Sequence, residues 1–149
     1  IDQWFLTVVS NMIHDLRVNS HGYPGSFKGA EEENIRKWDR ILGRMEFLFR
    51  EANEGTCRKK NPYEKEHALA REEFTAKYGM FGEKLKTEEE IAREKREHTH
   101  RLYTMSDVPK YAEISEKWLA AEGELREYRD RCLKQGMELM TKYFWNLWD

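Results

Sequence analysis

Residues 111–133, YAEISEKWLAAEGELREYRDRCL, decide how the rest of the chain is read. Tyr111, Ile114, Trp118, Ala121, Leu125, Tyr128 and Cys132 recur at alternating steps of three and four. Such a stripe is one apolar face of an α-helix laid against a partner. Pro109 fits the first turn of this helix, because a helix start has no use for the missing N–H. Beyond Cys132 the stripe drifts onto Leu133, Met140, Phe144 and Leu147, as a straight helix of 3.6 residues per turn requires. Gly136 costs about 1 kcal/mol in a helix interior and therefore predicts a close crossing. Residues 143–149 read as the end of the same helix and as part of the packed core. Trp145 falls off the Phe144, Leu147, Trp148 stripe and is expected to face a partner.

Partner helices lie upstream. Trp4, Phe5, Val8, Val9, Met12, Ile13 and Leu16 give a wide stripe on a first helix. Residues 19–29, NSHGYPGSFKG, hold three glycines and a proline and form a loop. A second helix, from about Ala30 to Ala52, opens on Glu31, Glu32 and Glu33, which suit the positive end of its dipole. Its seam is Ile35, Trp38, Leu42, Met45, Phe49 and Ala52. Asn53 to Pro62 reads as another loop, and residues 63–103 differ in kind. Leu69, Phe74, Tyr78, Phe81 and Leu85 make a sparse stripe that Gly79 and Gly82 interrupt, and Thr87 with Glu90 forms a capping box that restarts a helix. So few apolar residues predict a solvated arm over about 57–107. The fold read from sequence is a single all-α domain over 1–149. Its core is three helices (N-terminal, second and long C-terminal), with a charged helical excursion inserted before the last.

Composition narrows the function. Hydrophobic residues make up 39% and charged ones 36%, so the five Trp and other rings must carry much of the burial. The net charge of −2 lacks the basic excess of a dedicated nucleic-acid-binding domain, and nucleic acid is not an expected partner. No run of about 18 apolar residues is present, which argues against a membrane span. The only cysteines, Cys57 and Cys132, are read as reduced thiols of a cytoplasmic protein. Ile1 rather than Met opens the sequence, consistent with a natural start upstream.

Glu64 with His67 and Glu97 with His100 are two Glu-x-x-His steps, half of a carboxylate-bridged di-iron site, but both lie in the most charged part of the chain. Glu113/Glu116 and Glu127/Asp130 match the carboxylates of all-helical nucleotide pyrophosphohydrolases, yet sit about 16 Å apart on one helix. Arg58-Lys59-Lys60 reads as a solvated basic loop. No nucleophile elbow or phosphate-cradling glycine loop occurs. No catalytic residue, metal or cofactor is expected.

The helix carrying Trp4, the loop Gly22-Tyr23-Pro24, the Trp38-Asp39 helix with Leu42, Met45 and Phe49, and the closing Gly136, Leu139, Tyr143-Phe144 and Leu147-Trp148-Asp149 occur in this order. Together they resemble small uncharacterised proteins of tailed bacteriophages and prophages. The resemblance covers about half the chain, at both ends, and carries no activity. It implies a setting, the cytoplasm of the bacterial host; the lack of a catalytic constellation, the balanced charge, the abundant aromatics and the long helices point to a non-enzymatic accessory protein there that binds a protein partner and self-associates. Two alternatives stand beside it: a sponge for a nucleotide-derived host defence signal, and a nucleotide pyrophosphohydrolase. For the sponge, the ligand-binding candidates are Arg17, Tyr23, Trp38, Lys142 and Trp145, chosen as π-faces and cations for a base and its phosphates.

Overall fold

The computed structural model describes residues 1–19 and 22–147. Helices are the regular elements among them: α1 (Asp2–Asn19), α2 (Glu31–Ala52), α3 (Glu64–Tyr78), α4 (Glu88–Glu97) and α5 (Pro109–Tyr143). Single 3₁₀ turns occur at Glu83–Leu85, Met105–Asp107 and Phe144–Asn146. The chain divides into two compact units, Ile1–Lys59 with Leu125–Asp149, and Lys60–Glu124. The first half of α5 belongs to the second unit and the rest to the first.

In the first unit α2 is central. Trp38, Leu42, Met45 and Phe49 are buried in one cluster with Leu6, Val9 and Ile13 of α1, and Leu139, Met140 and Tyr143 of α5 pack onto it. Burial of each large apolar side chain contributes roughly 1.5–3 kcal/mol. Pairings run antiparallel on both sides of α2. Asn53, Glu46 and Asp39 meet Thr7, His14 and Arg17, while Glu51, Arg44 and Trp38 meet Tyr128, Gln135 and Tyr143. The all-α, three-helix core read from the sequence is the one observed.

The rotation of α1 departs from its sequence reading. Trp4 and Met12 are 68% and 54% exposed, whereas Leu6 and Ser10 are buried. A polar line sets that rotation. Thr7 accepts from Asn53 Nδ2 at 3.1 Å, His14 lies 3.0 Å from Glu46, and Arg17 donates to Asp39 at 2.8 Å. Those three positions follow helical spacing, so engaging them turns the Trp4, Val8, Met12 line outward.

The end of the chain is also corrected. α5 stops at Tyr143 and a tighter 3₁₀ turn follows, so the apolar stripe does not continue as one helix. Tyr143 lies edge-on to Trp38 at 5.4 Å and Leu147 packs on the same cluster, whereas Phe144 is 40% exposed. Trp148 and Asp149, assigned to the core from the sequence, lie outside the described residues. The close crossing at Gly136 is present: this residue is buried, and a Cβ there would sit 3.2 Å from a ring carbon of Phe49.

As expected, the charged stretch buries little, since α3 buries only Phe74 and α4 nothing, but it shares a small core with the start of α5. Phe74, Met105, Tyr111 and Ile114 form a buried cluster, joined by Tyr63, Ala70, Tyr78, Leu85 and Val108. The sequence stripe had to be completed by the start of α5, whose Tyr111 meets Phe74 edge-on at 5.8 Å. Leu69 and Phe81, expected on the stripe, are exposed. The Thr87–Glu90 capping box opens α4 as anticipated. Gly82 adopts φ 65°, and a Cβ there would fall 2.5 Å from that of Tyr103, so only glycine lets residues 81 and 103 approach. Lys86 bonds both oxygens of Glu94 at 2.8 Å, and Glu94 also accepts the Arg101 N–H, which ties α4 to the chain that follows it.

The two helical glycines of α5 should respond oppositely to alanine. Gly123 has nothing within 4 Å of its would-be Cβ, so Gly123→Ala gains about 0.5–1 kcal/mol of helix propensity. At Gly136 the fully buried Phe49 ring must yield, and overpacking costs about 1–3 kcal/mol, enough to cancel or exceed that gain. Thermal melts should place Gly123→Ala above wild type and Gly136→Ala below it. Equal melting temperatures for the two variants would refute the close-packing account.

Candidate binding surfaces

The first unit carries a cleft of about 740 Å³ along the start of α2, bordered by the end of α1 and the loop before α2. Arg17 and Trp38, two of the five candidate ligand residues, line it together with Lys28, Arg36, Lys37 and Arg40. Arg17 is engaged within the fold. It donates to Asp39 and lies 3.6 Å from Glu46, and Asp39 raises its pKa further above the ordinary value. Trp38 is 4% exposed, so it supplies a wall of the cleft more than a free stacking face.

Tyr23 joins Trp38 through a ring the sequence did not single out. Its ring stacks on Phe27 at 6.5 Å, Phe27 meets Trp38 edge-on at 6.2 Å, and Trp38 meets Tyr143. Phe27 was missed because it sits in a Gly- and Pro-rich loop where periodicity carries no information. Lys37 lies 4.2 Å above that ring. Lys142 borders a different hollow, with Arg44, Gln135 and Glu138, and lies over Tyr143. Trp145 lines neither; it is 85% exposed and packs edge-on to Phe144 at 5.2 Å. The five candidates thus divide among three places.

Where α2 ends, a buried acid organises the next loop. Glu51 is 2% exposed and accepts from Tyr128 Oη at 2.7 Å and from the Arg58 N–H at 3.1 Å. The Cys57 thiol donates to it at 3.9 Å. Burial and then the Glu51 carboxylate push the Tyr128 phenol well above its usual pKa, so it stays a neutral donor. Cys132 is buried beside the same phenol. Arg58 and Lys59, read as a solvated loop, cover aromatic rings: Arg58 lies 5.6 Å from Phe47, with Arg44 at 5.5 Å from the same ring, and Lys59 is 3.9 Å above Tyr128.

In the second unit the Glu-x-x-His steps have structural partners. Glu64 accepts the Trp118 indole N–H at 2.8 Å, and the His67 ring stacks on Trp118 at 4.3 Å and 12°. Asn61 donates to the carbonyl of Trp118 and to Glu122. Glu97 closes α4, His98 adopts φ 52°, and His100 lies beyond the helix, 4.0 Å from Glu94. Glu113 pairs with Lys117 and Glu127 with Arg131, each along α5, and the two acidic pairs fall in different compact units. No group of three or more His, Cys, Asp or Glu residues is arranged to hold a metal ion among the described residues. Comparison with known protein families, curated proteins and solved structures returns no match.

His67 gives a pH test of the stacked pair. Partial burial lowers its pKa from 6.5, with Arg71 adding to the effect against the opposing pull of Glu64. The unfolded chain therefore binds a proton more readily than the folded one just below pH 6.5. Stability is retained above that pH and declines as pH falls through the folded-state value. His67→Gln should flatten this part of the profile in melts between about pH 5 and 8. A titration that puts the His67 pKa at or above 6.5 would contradict the stacked geometry.

Proposed function

We propose that this chain is a non-enzymatic binding protein that self-associates and engages a protein partner through the apolar side of the second half of α5. The observation that carries this reading is the exposure of Trp145 at 85%, at the end of a line formed by Leu133, Met137 and Phe144, which are 36%, 39% and 40% exposed. Leu133 and Met137, four residues apart, share one face of α5, Phe144 and Trp145 follow in the turn just past its end, and exposed apolar groups clustered in this way are characteristic of an interaction site. The phage-protein resemblance at both ends of the chain supports an accessory role in the cytoplasm of an infected bacterium. No helix among the described residues is long and apolar enough to cross a membrane, which is compatible with that location.

Light scattering at micromolar concentration tests the self-association. Wild type should have at least twice the 18.0 kDa mass of one chain, and the double variant Met137→Glu, Trp145→Asp should return to one. Both positions are exposed, so the variant's helical circular dichroism should be unchanged. A wild-type protein of single-chain mass across that range would sink the reading.

A second reading, capture of a nucleotide-like signal, is favoured by the cleft that Arg17 and Trp38 line with four further cations and the acids Glu33 and Asp39. Cations there suit phosphate, and the adjoining ring cluster suits a base. Screening cyclic and linear nucleotides by thermal shift should then give a ligand that raises the melting temperature by several degrees in wild type and less in Arg17→Gln. Shifts that are absent, or equal in the variant, would remove it.

A further inference from the structure

We propose that the outward arc of α2, continued by Arg58 and Lys59, is a docking surface for single-stranded nucleic acid. At 3.6 residues per turn, Arg36, Lys37, Arg40, Arg44 and Phe47 fall within an arc of about 100° on the helix. All four cations are exposed. Among the described residues, the acids sharing that arc are Glu33, in the first turn, and the buried Glu51. The other acids of α2 beyond its first turn point to the neighbouring helix: Asp39 bonds Arg17, and Glu46 is shared by His14, Arg17 and Arg50. Glu51 is taken up by Tyr128 and the loop backbone, with the Arg58 guanidinium 4.0 Å away. Beyond the exposed first-turn acids Glu31, Glu32 and Glu33, the negative charge of α2 is thus engaged within the unit, while its positive charge faces out. The even balance over the whole sequence conceals this segregation.

The arc is long enough to follow a strand. From Arg36 to Phe47 it covers about 16 Å at 1.5 Å per residue. Arg58 and Lys59 then extend it past the helix end, because Arg58 lies against Phe47 and Lys59 against Tyr128. Cations interleaved with ring faces are what a single strand needs: the charges follow the phosphates, and the guanidinium planes and rings accept unstacked bases. Arg44 donates to Gln135, a neutral acceptor that leaves its charge available to a phosphate. Because α1 and α5 cover α2 on either side, it offers a ridge and not a free end for insertion into a duplex major groove. An acidic protein would answer the charges but make no use of the rings.

The experiment is fluorescence anisotropy of the full chain with a labelled single-stranded oligonucleotide of about 12 residues, at several salt concentrations. Wild type should bind at low salt, with log affinity falling by about 0.7 per phosphate contact against log salt. Arg44→Gln with Arg58→Gln should weaken binding at least tenfold and flatten that slope, while Arg131→Gln, outside the arc, should not. Circular dichroism on each variant separates lost contacts from lost folding; Arg40→Gln, which touches neither Phe47 nor Gln135, gives an independent arm. No binding at low salt, equal binding by the arc variants and wild type, or duplex bound as tightly as single strand would each overturn the proposal. The four residues substituted leave Leu133, Met137, Phe144 and Trp145 of the light-scattering test in place, and of the four only Arg40 lines the cleft that holds Arg17. Failure here therefore leaves the self-association reading untouched.

Discussion

The seam Trp38, Leu42, Met45 and Phe49 has to be covered from two sides at once, and most of the first unit follows from that constraint. α1 supplies one cover and the second half of α5 the other, both antiparallel to α2. The second cover can approach only because residue 136 has no side chain where Phe49 arrives. Close packing leaves no slack at such a point, since interiors are as dense as organic crystals. A helix so enclosed has little freedom in where its polar residues go. Those that fall between the covers must be satisfied there or carry an unpaired charge out of water, at a cost of several kcal/mol.

Glu46 and Glu51 meet this demand in different ways. Glu46 sits at the edge of the α1–α2 contact with His14, Arg17 and Arg50 around it, a mixed network that remains partly hydrated. Glu51 has no such access. Its burial is compensated by a phenol, a backbone N–H, a thiol and the Arg58 guanidinium at 4.0 Å, and this set of donors fixes the turn from α2 into residues 57–59. The same contact places Cys57 and Cys132 in the interior, and it lays Arg58 and Lys59 over rings instead of letting them range through solvent. A buried acid thereby shapes a basic surface.

Periodicity made the long elements legible. The three–four alternation in α5 and α2, the Thr87 capping box and the glycine crossing at 136 all depend on local spacing, which a single sequence displays. What it could not display was rotation. Which face of α1 turns inward is decided by polar contacts from Thr7, His14 and Arg17 to residues on α2, and the apolar pattern alone favoured Trp4 and Met12. The second hydrophobic cluster was hidden for a related reason. Phe74 looked isolated within a charged stretch because its partner Tyr111 lies on a helix assigned elsewhere. Of the candidate ligand residues, Arg17 and Trp38 share a cleft, yet Lys142 and Trp145 belong to other surfaces. Residue type suggested a common chemistry; the helix register separates them.

Charge shows the same limit most clearly. A net charge of −2 is a sum over the chain, whereas a ligand feels the groups within about one Debye length, roughly 10 Å at 0.1 M salt. Over that distance the relevant quantity is which charges are already paired. Beyond the first turn of α2 the acids Asp39, Glu46 and Glu51 are paired because the helix contacts require it, and its outward cations owe their excess there to the same packing. The polarity of this surface is then a consequence of the core, so a substitution that loosened the α1–α2 contact would also release acids toward the ridge and weaken its field. Stability of the bundle and any affinity of the ridge for polyanions are coupled through Asp39 and Glu46, two residues off the outward arc.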